Sequence, residues 1–177
     1  SIERGLAYVS KAQYRDVEVI LQMQRDYVLF LRFAGDEPFS GKNFTPVPIL
    51  QMKPGTAIEP LLLMQFWSWL YRGMAHFFAG EYACASDCFA QAAPLTGSIP
   101  GHIHRLDFHL YSALSVTIPL TSQTCTEEHR QFVAAHYEMI ATWAVENPRT
   151  FADKAGLLRA EMLRLEGDSL QAAQQYE

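Results

Sequence analysis

The sequence carries no cluster of lysine and arginine. Its 14 basic residues are outnumbered by 19 acidic ones, for a net charge of −5 at pH 7. Without a basic stripe the counterion-release footprint of a nucleic-acid binder is missing, so no nucleic-acid partner is expected. Long hydrophobic runs are missing as well. The most apolar stretch, Pro60 to Tyr71, is shorter than the roughly 20 residues that cross a bilayer, which argues against membrane insertion. No basic segment followed by an apolar core opens the chain, so no secretory signal is visible. Cysteine is scarce: three residues, an odd number without framework spacing, point to a reducing cytoplasm rather than a disulfide scaffold. The phosphate-handling motifs are absent too, with no Gly-x4-Gly-Lys-Ser/Thr loop, no His-Arg-Asp and no Asp-Phe-Gly. This segment therefore supplies neither the phosphate cradle nor the metal carboxylates of phosphoryl transfer.

What is present is a large apolar fraction, 49% of 177 residues, at a mean hydropathy of −0.05. Such a chain buries a sizeable core and suits one domain, or one compact piece of a larger protein. Its most informative stretch is Trp69 to Ala92, WLYRGMAHFFAGEYACASDCFAQA. Trp69 precedes Gly73 on a first helix, Gly80 marks a turn, and Tyr82, Ala85, Phe89 and Ala92 follow on a second. Two antiparallel helices approach closely only where Gly or Ala removes side-chain bulk and aromatics fill the gaps. These offsets are those of a tetratricopeptide-type hairpin.

Helical periodicity recurs along the rest of the chain, and no strand-length alternation competes with it. Ile2 to Lys11 reads as a first helix, with Gly5 and Tyr8 at the offsets of Gly73 and His76. Tyr14 to Phe33 reads as a second, with Val17, Ile20, Leu21, Met23, Val28 and Leu31 as its apolar side and a polar face opposite. Ala34 to Thr56 breaks the pattern with four prolines and three glycines, a long loop of a kind that is uncommon and sometimes functional. Pro60 to Ala79 is apolar nearly all round, which implies burial between neighbours. Glu81 to Ala93 pairs with it, and Pro94 to Gly101 closes the unit. A further helix spans His102 to Ile118. Thr126 is the expected N-cap of another that runs to about Glu146, with Phe132, Val133, Tyr137, Ile140 and Ala144 inward. Phe151 to Leu165 and Ser169 to Tyr176 form a last pair.

In that last pair Ala160, Gly167, Ala172 and Tyr176 stand at the mutual offsets of Gly73, Gly80, Ala85 and Phe89. Ile2 to Gln24 repeats the pattern more weakly, because Val17 replaces the small residue. The expected fold is all-α: one domain over residues 1–177, an antiparallel array of helical hairpins (a TPR-like α-solenoid) with seven to nine helices. The chain opens on Ser1 and stops within its last helix, so more helices are expected to follow in a longer parent protein.

Few residues suggest chemistry. Cys84 and Cys88 share a helix face, and His76 on the partner helix could join them as a metal ligand. Small soft residues packed in a tight hairpin are the commoner explanation, since zinc sites usually draw a closer pair from a turn. His102, His104 and His109 could ligate a metal or sense pH, though surface histidines at helix starts are far commoner and no acidic cluster completes a site. Asp107 could pair with either neighbouring histidine. Glu127 and Glu128 fit a solvated helix start favoured by the dipole rather than a buried acid–base pair. Phe66, Trp67, Trp69, Tyr71, Phe77 and Phe78 could line a small-molecule groove, but helix-spaced aromatics usually form core. Gln22, Arg25, Asp26 and Arg32 make the best polar candidate for a protein contact. No metal or other cofactor is implied.

Three segments together resemble a known family: QRDYVLFLR, FFAGEYACASDCFAQA and NPRTFADKAGLLRAEMLRLEGDSLQAAQQYE. The family is that of large signalling proteins described as trifunctional serine/threonine kinase, ATP-binding and sensor histidine kinase proteins. In these a kinase-like domain and an AAA-type ATPase precede a long helical-repeat region, and a GAF sensor and a histidine kinase follow it. The family segment reads CPxNFxHKxxLxxAExxRxxGxxxxAxxxYxxAI. Pro148, Phe151, Lys154, Leu158, Ala160, Glu161, Arg164, Gly167, Ala172 and Tyr176 keep that pattern, while Asn147, Thr150 and Asp153 stand in place of its Cys, Asn and His. The resemblance implies a non-catalytic middle region in the cytoplasm, contacting other domains of its own chain or a protein partner. Alternatives are the ligand-sensing helical domain of a STAND-type transcription activator, a metal-dependent enzyme using Cys84, Cys88 and His76, and a plain homo-oligomerising scaffold.

Overall fold

The computed structural model describes residues 2–12, 15–33 and 58–176. The Ala34–Thr56 loop singled out above lies outside the described residues. The described chain is all-α, with no strand, and contains eight α-helices. These are α1 (Ile2–Ala12), α2 (Arg15–Phe33), α3 (Ile58–Phe78), α4 (Tyr82–Ala92), α5 (His104–Thr117), α6 (Glu127–Glu146), α7 (Pro148–Glu166) and α8 (Ser169–Tyr176). A short 3-10 helix, Ala93–Ser98, follows α4 with Pro94 in its first turn. None of the helices among the described residues is long and apolar enough to cross a membrane. The chain divides into two compact units, Ser1–His102 and Ile103–Glu177.

In the first unit α3 is the central element, packed against α2, α4 and the 3-10 helix. That placement accounts for a helix apolar on nearly every side: Met64, Phe66, Trp67, Leu70, Tyr71 and Met74 are all buried. Burying each such side chain contributes about 1.5–3 kcal/mol. On α2 the buried face agrees with the expected one at Met23 and departs from it elsewhere. Met23 and Phe30 are buried and Tyr27 stacks on Tyr71 at 5.2 Å, whereas Val17, Val28 and Leu31 are exposed. Met23 and Phe30 lie at helical spacing from Tyr27, the residue that docks on α3 through Tyr71, so the face carrying the Tyr27 contact is the one that is buried.

In the second unit α5 packs against both α6 and α7, and α7 against α8. Helix α6 begins as expected at Thr126, whose hydroxyl accepts from the His129 N–H at 3.3 Å while His129 Nδ1 accepts from the Thr126 N–H at 3.2 Å. This is a capping box with histidine in the usual Glu/Gln place. A single residue, Asn147, separates α6 from α7, and Pro148 opens α7 where its missing N–H costs nothing. The inward stripe of α6 is Val133, His136 and Ile140; Phe132, expected inward, is exposed.

Candidate functional site

The hairpin residues come together as two similar joints. Helix α3 ends with Gly80 at φ +76°, and α7 with Gly167 at φ +89°, a left-handed conformation that favours glycine. The N–H of Gly80 donates to Phe77 O and that of Glu81 to His76 O, at 3.0 and 2.9 Å. Gly167 and Asp168 donate in the same register to Arg164 O and Leu163 O, at 3.2 and 3.0 Å. Both are Schellman ends that satisfy carbonyls the helix leaves open. Beyond the turn, Ala85 and Ala172 are buried at matching positions, and their N–H groups bond Glu81 O and Asp168 O at 3.0 Å each.

Gly73 sits against Phe89: a Cβ there would lie 2.6 Å from Phe89 Cε1. Gly5 shows the same approach to Leu21 at 3.2 Å, at the same sequence spacing. Ala92 and Ala160 are fully buried, and Trp69 and Tyr82 are half-buried. Trp69 carries the Arg72 guanidinium 5.8 Å over its ring. Tyr176, the counterpart of buried Phe89, is instead exposed. Its hydroxyl donates to Glu161 Oε1.

The joints differ in their polar locks. In the first, His76 Nδ1 meets Glu81 Oε2 at 2.5 Å. In the second, Asp168 caps α8 through the Gln171 N–H at 3.0 Å. Behind it Arg164 holds Glu161 Oε2 at 2.7 Å and also donates to Thr117 O and Leu120 O at 2.7 and 2.9 Å. Burial alone would push the Glu161 carboxyl up, but hydrogen bonds from Arg164 and Tyr176 outweigh it and hold it low. Burial and the adjoining carboxylate push the Tyr176 phenol up to about 12. This network fastens the ends of α5, α7 and α8. Glu161 and Arg164 were legible in the sequence as pattern positions, not as a buried ion pair. The available signal was a carboxylate at helical spacing from Leu158 and Leu165, inside the apolar stripe of α7.

The metal candidates do not converge. Cys84 is exposed and Cys88 is buried, its thiol pushed up to about 11 chiefly by burial, while His76 is engaged by Glu81. Among the described residues no group of three or more His, Cys, Asp or Glu is arranged to hold a metal. His102 packs its ring edge on Trp67 at 6.1 Å. Phe66, Trp67 and Tyr71 are core, Trp69 and Phe77 are half-buried, and Phe78 is exposed. On α2, Gln22, Asp26 and Arg32 are exposed, and Arg25 bonds Asp26 at 3.1 Å.

His109 does find a partner that the sequence reading missed. Its Nδ1 lies 2.9 Å from Nδ1 of His136 on α6. Phe108, Phe132 and Trp143 surround the two rings at centroid distances of 4.5 to 5.7 Å. Arg105 stands 5.7 Å over the Trp143 ring. Burial pushes His136 down to about 4, and burial, His136 and Arg105 together push His109 to about 4. Burial raises the Asp107 carboxyl, against the opposing charges of His104 and Lys154. The missed signal was His136 standing at helical spacing from Val133, Ile140 and Trp143.

Fold and site together define an all-α protein of tightly joined helical hairpins. Compared with family models, curated proteins and solved structures, the chain matches none.

Proposed function

We infer that the chain is a non-catalytic helical scaffold, the regulatory middle region of a multidomain signalling kinase of the trifunctional type described above. The observation that carries this reading is the recurrence of one joint: the Schellman turns at Gly80 and Gly167 and the buried alanines Ala85 and Ala172 at matching positions. Helical hairpins built on a repeated joint stack into arrays whose surfaces make contacts rather than carry out reactions. Tyr8, Val145 and Leu170, each more than two-thirds exposed, add apolar contact area, and the Gln22–Arg32 face adds polar area. The partners on this reading are other domains of the same chain or a separate protein in the cytoplasm.

The test uses the whole product of the reading frame that encodes this segment. ATP-dependent phosphate incorporation is compared between wild type, Arg25→Glu/Arg32→Glu and Val145→Asp/Leu170→Asp, with helicity followed by circular dichroism. Altered incorporation at unchanged helicity supports the regulatory reading. Unchanged incorporation in both double variants overturns it, and a reading frame without kinase and ATP-binding motifs overturns the family placement.

A further inference from the structure

Two neutral imidazoles 2.9 Å apart through their Nδ1 atoms share one hydrogen, since one nitrogen must donate and the other accept. Nε2 of His109 is buried with no partner among the described residues. A hydrogen there would be a buried donor without an acceptor, which is costly, so the favoured tautomer carries the His109 hydrogen on Nδ1 and leaves a bare lone pair on Nε2. His136 then accepts at Nδ1. We propose that this pair is an acid-released latch on the α5–α6 joint, closed while both rings are neutral and opened when the pair takes up protons.

The proton count explains the release. With one extra proton the shared Nδ1–H···Nδ1 bond survives, but both Nε2 atoms now carry hydrogen, and that of His109 has no acceptor. With two, the Nδ1 atoms both carry hydrogen and face each other with like charge. Arg105, on α5, is already the cation over Trp143, so the ring best suited to a new charge is taken. Among the described residues no carboxylate hydrogen-bonds either ring of the pair. Asp107 of α5 answers to His104 and to Lys154 of α7, and Lys154 also binds Asp153 at 2.6 Å. Glu161 of α7 is held by Arg164 and Tyr176.

The folded-state values near 4 lie below the ordinary 6.5, so between them the unfolded chain binds more protons. The latch therefore contributes fully above about pH 6.5 and is lost as pH falls towards 4. The opening constant should rise about tenfold per pH unit for each histidine that titrates.

The experiment is a pH series of thermal and urea unfolding, from pH 7.5 to 4.5, on wild type and His136→Phe. It is joined by 15N imidazole NMR and amide exchange on the wild type. Expected are neutral rings at pH 5.5, a shared Nδ1–H signal, and faster exchange in α5 and α6 as the rings protonate. The stability loss of His136→Phe should be shallower by at least about tenfold in equilibrium constant per pH unit. Parallel stability curves, or either ring titrating near 6.5, would overturn the latch. If His136→Phe does not fold, the wild-type NMR titration decides alone.

Discussion

Adding one methyl group at Gly73 and at Gly156 should move stability in opposite directions. Both glycines lie inside helices, where Gly→Ala by itself favours the helix by about 1 kcal/mol. At Gly156 the new Cβ would meet only Gln175 O at 3.9 Å, an ordinary contact. At Gly73 it would fall 2.6 Å from Phe89 Cε1 and 2.9 Å from Cδ1 and Cζ. Phe89 is a rigid ring, 2% exposed, so α3 and α4 must part or the ring must leave its rotamer. Overpacking of this kind costs about 1–3 kcal/mol. Against the propensity gain, and with a contact this short, the net loss should be about 1–2 kcal/mol. For a chain of this size each kcal/mol shifts the melting temperature by about 2–4 °C. Gly156→Ala should therefore melt about 2–4 °C higher than wild type, and Gly73→Ala about 2–8 °C lower. Adding Phe89→Leu to Gly73→Ala should cost less than the two changes sum to, because the smaller side chain clears the methyl. A Gly73→Ala protein that melts higher, like Gly156→Ala, would refute the close-packing argument for this hairpin.

Arg164→Leu should destabilise by about 2–4 kcal/mol, somewhat less than breaking a fully buried pair, since it strands the Glu161 carboxylate but its own side chain is 33% exposed. Tyr176→Phe, which removes one hydrogen bond to that carboxylate, should cost about 0.5–1.5 kcal/mol; both are read from urea unfolding. Thr126→Ala removes the hydroxyl that caps α6 and should cost about 1 kcal/mol by the same assay. Native protein treated with a thiol reagent at pH 7.5 should label at Cys84 first, with Cys88 and Cys125 protected by burial. Mass spectrometry showing equal labelling at all three would count against the buried positions.

The sequence by itself determined that the chain is helical and where its hairpin joints fall. These are local matters: Gly80 and Gly167 mark turns where glycine tolerates the backbone a helix end needs, and Thr126 marks a helix start whose N–H groups need a cap. The start of α7 was expected at Phe151, and the structure moves it back to Pro148. The small-residue spacing around Gly73 and Ala85 was equally legible, since close helix approach has few solutions. Which side of α2 is buried was not. Several faces of that helix are apolar, and of the expected apolar side Met23 is buried while Val28 and Leu31 give way to Phe30. Only the tertiary structure could bring His109 to His136, or Glu161 to Arg164, Tyr176 and the carbonyls of Thr117 and Leu120. A polar side chain on an apolar stripe announces that it needs a partner. The partner's identity depends on which helices meet and at what rotation, and that is decided by packing across the whole unit.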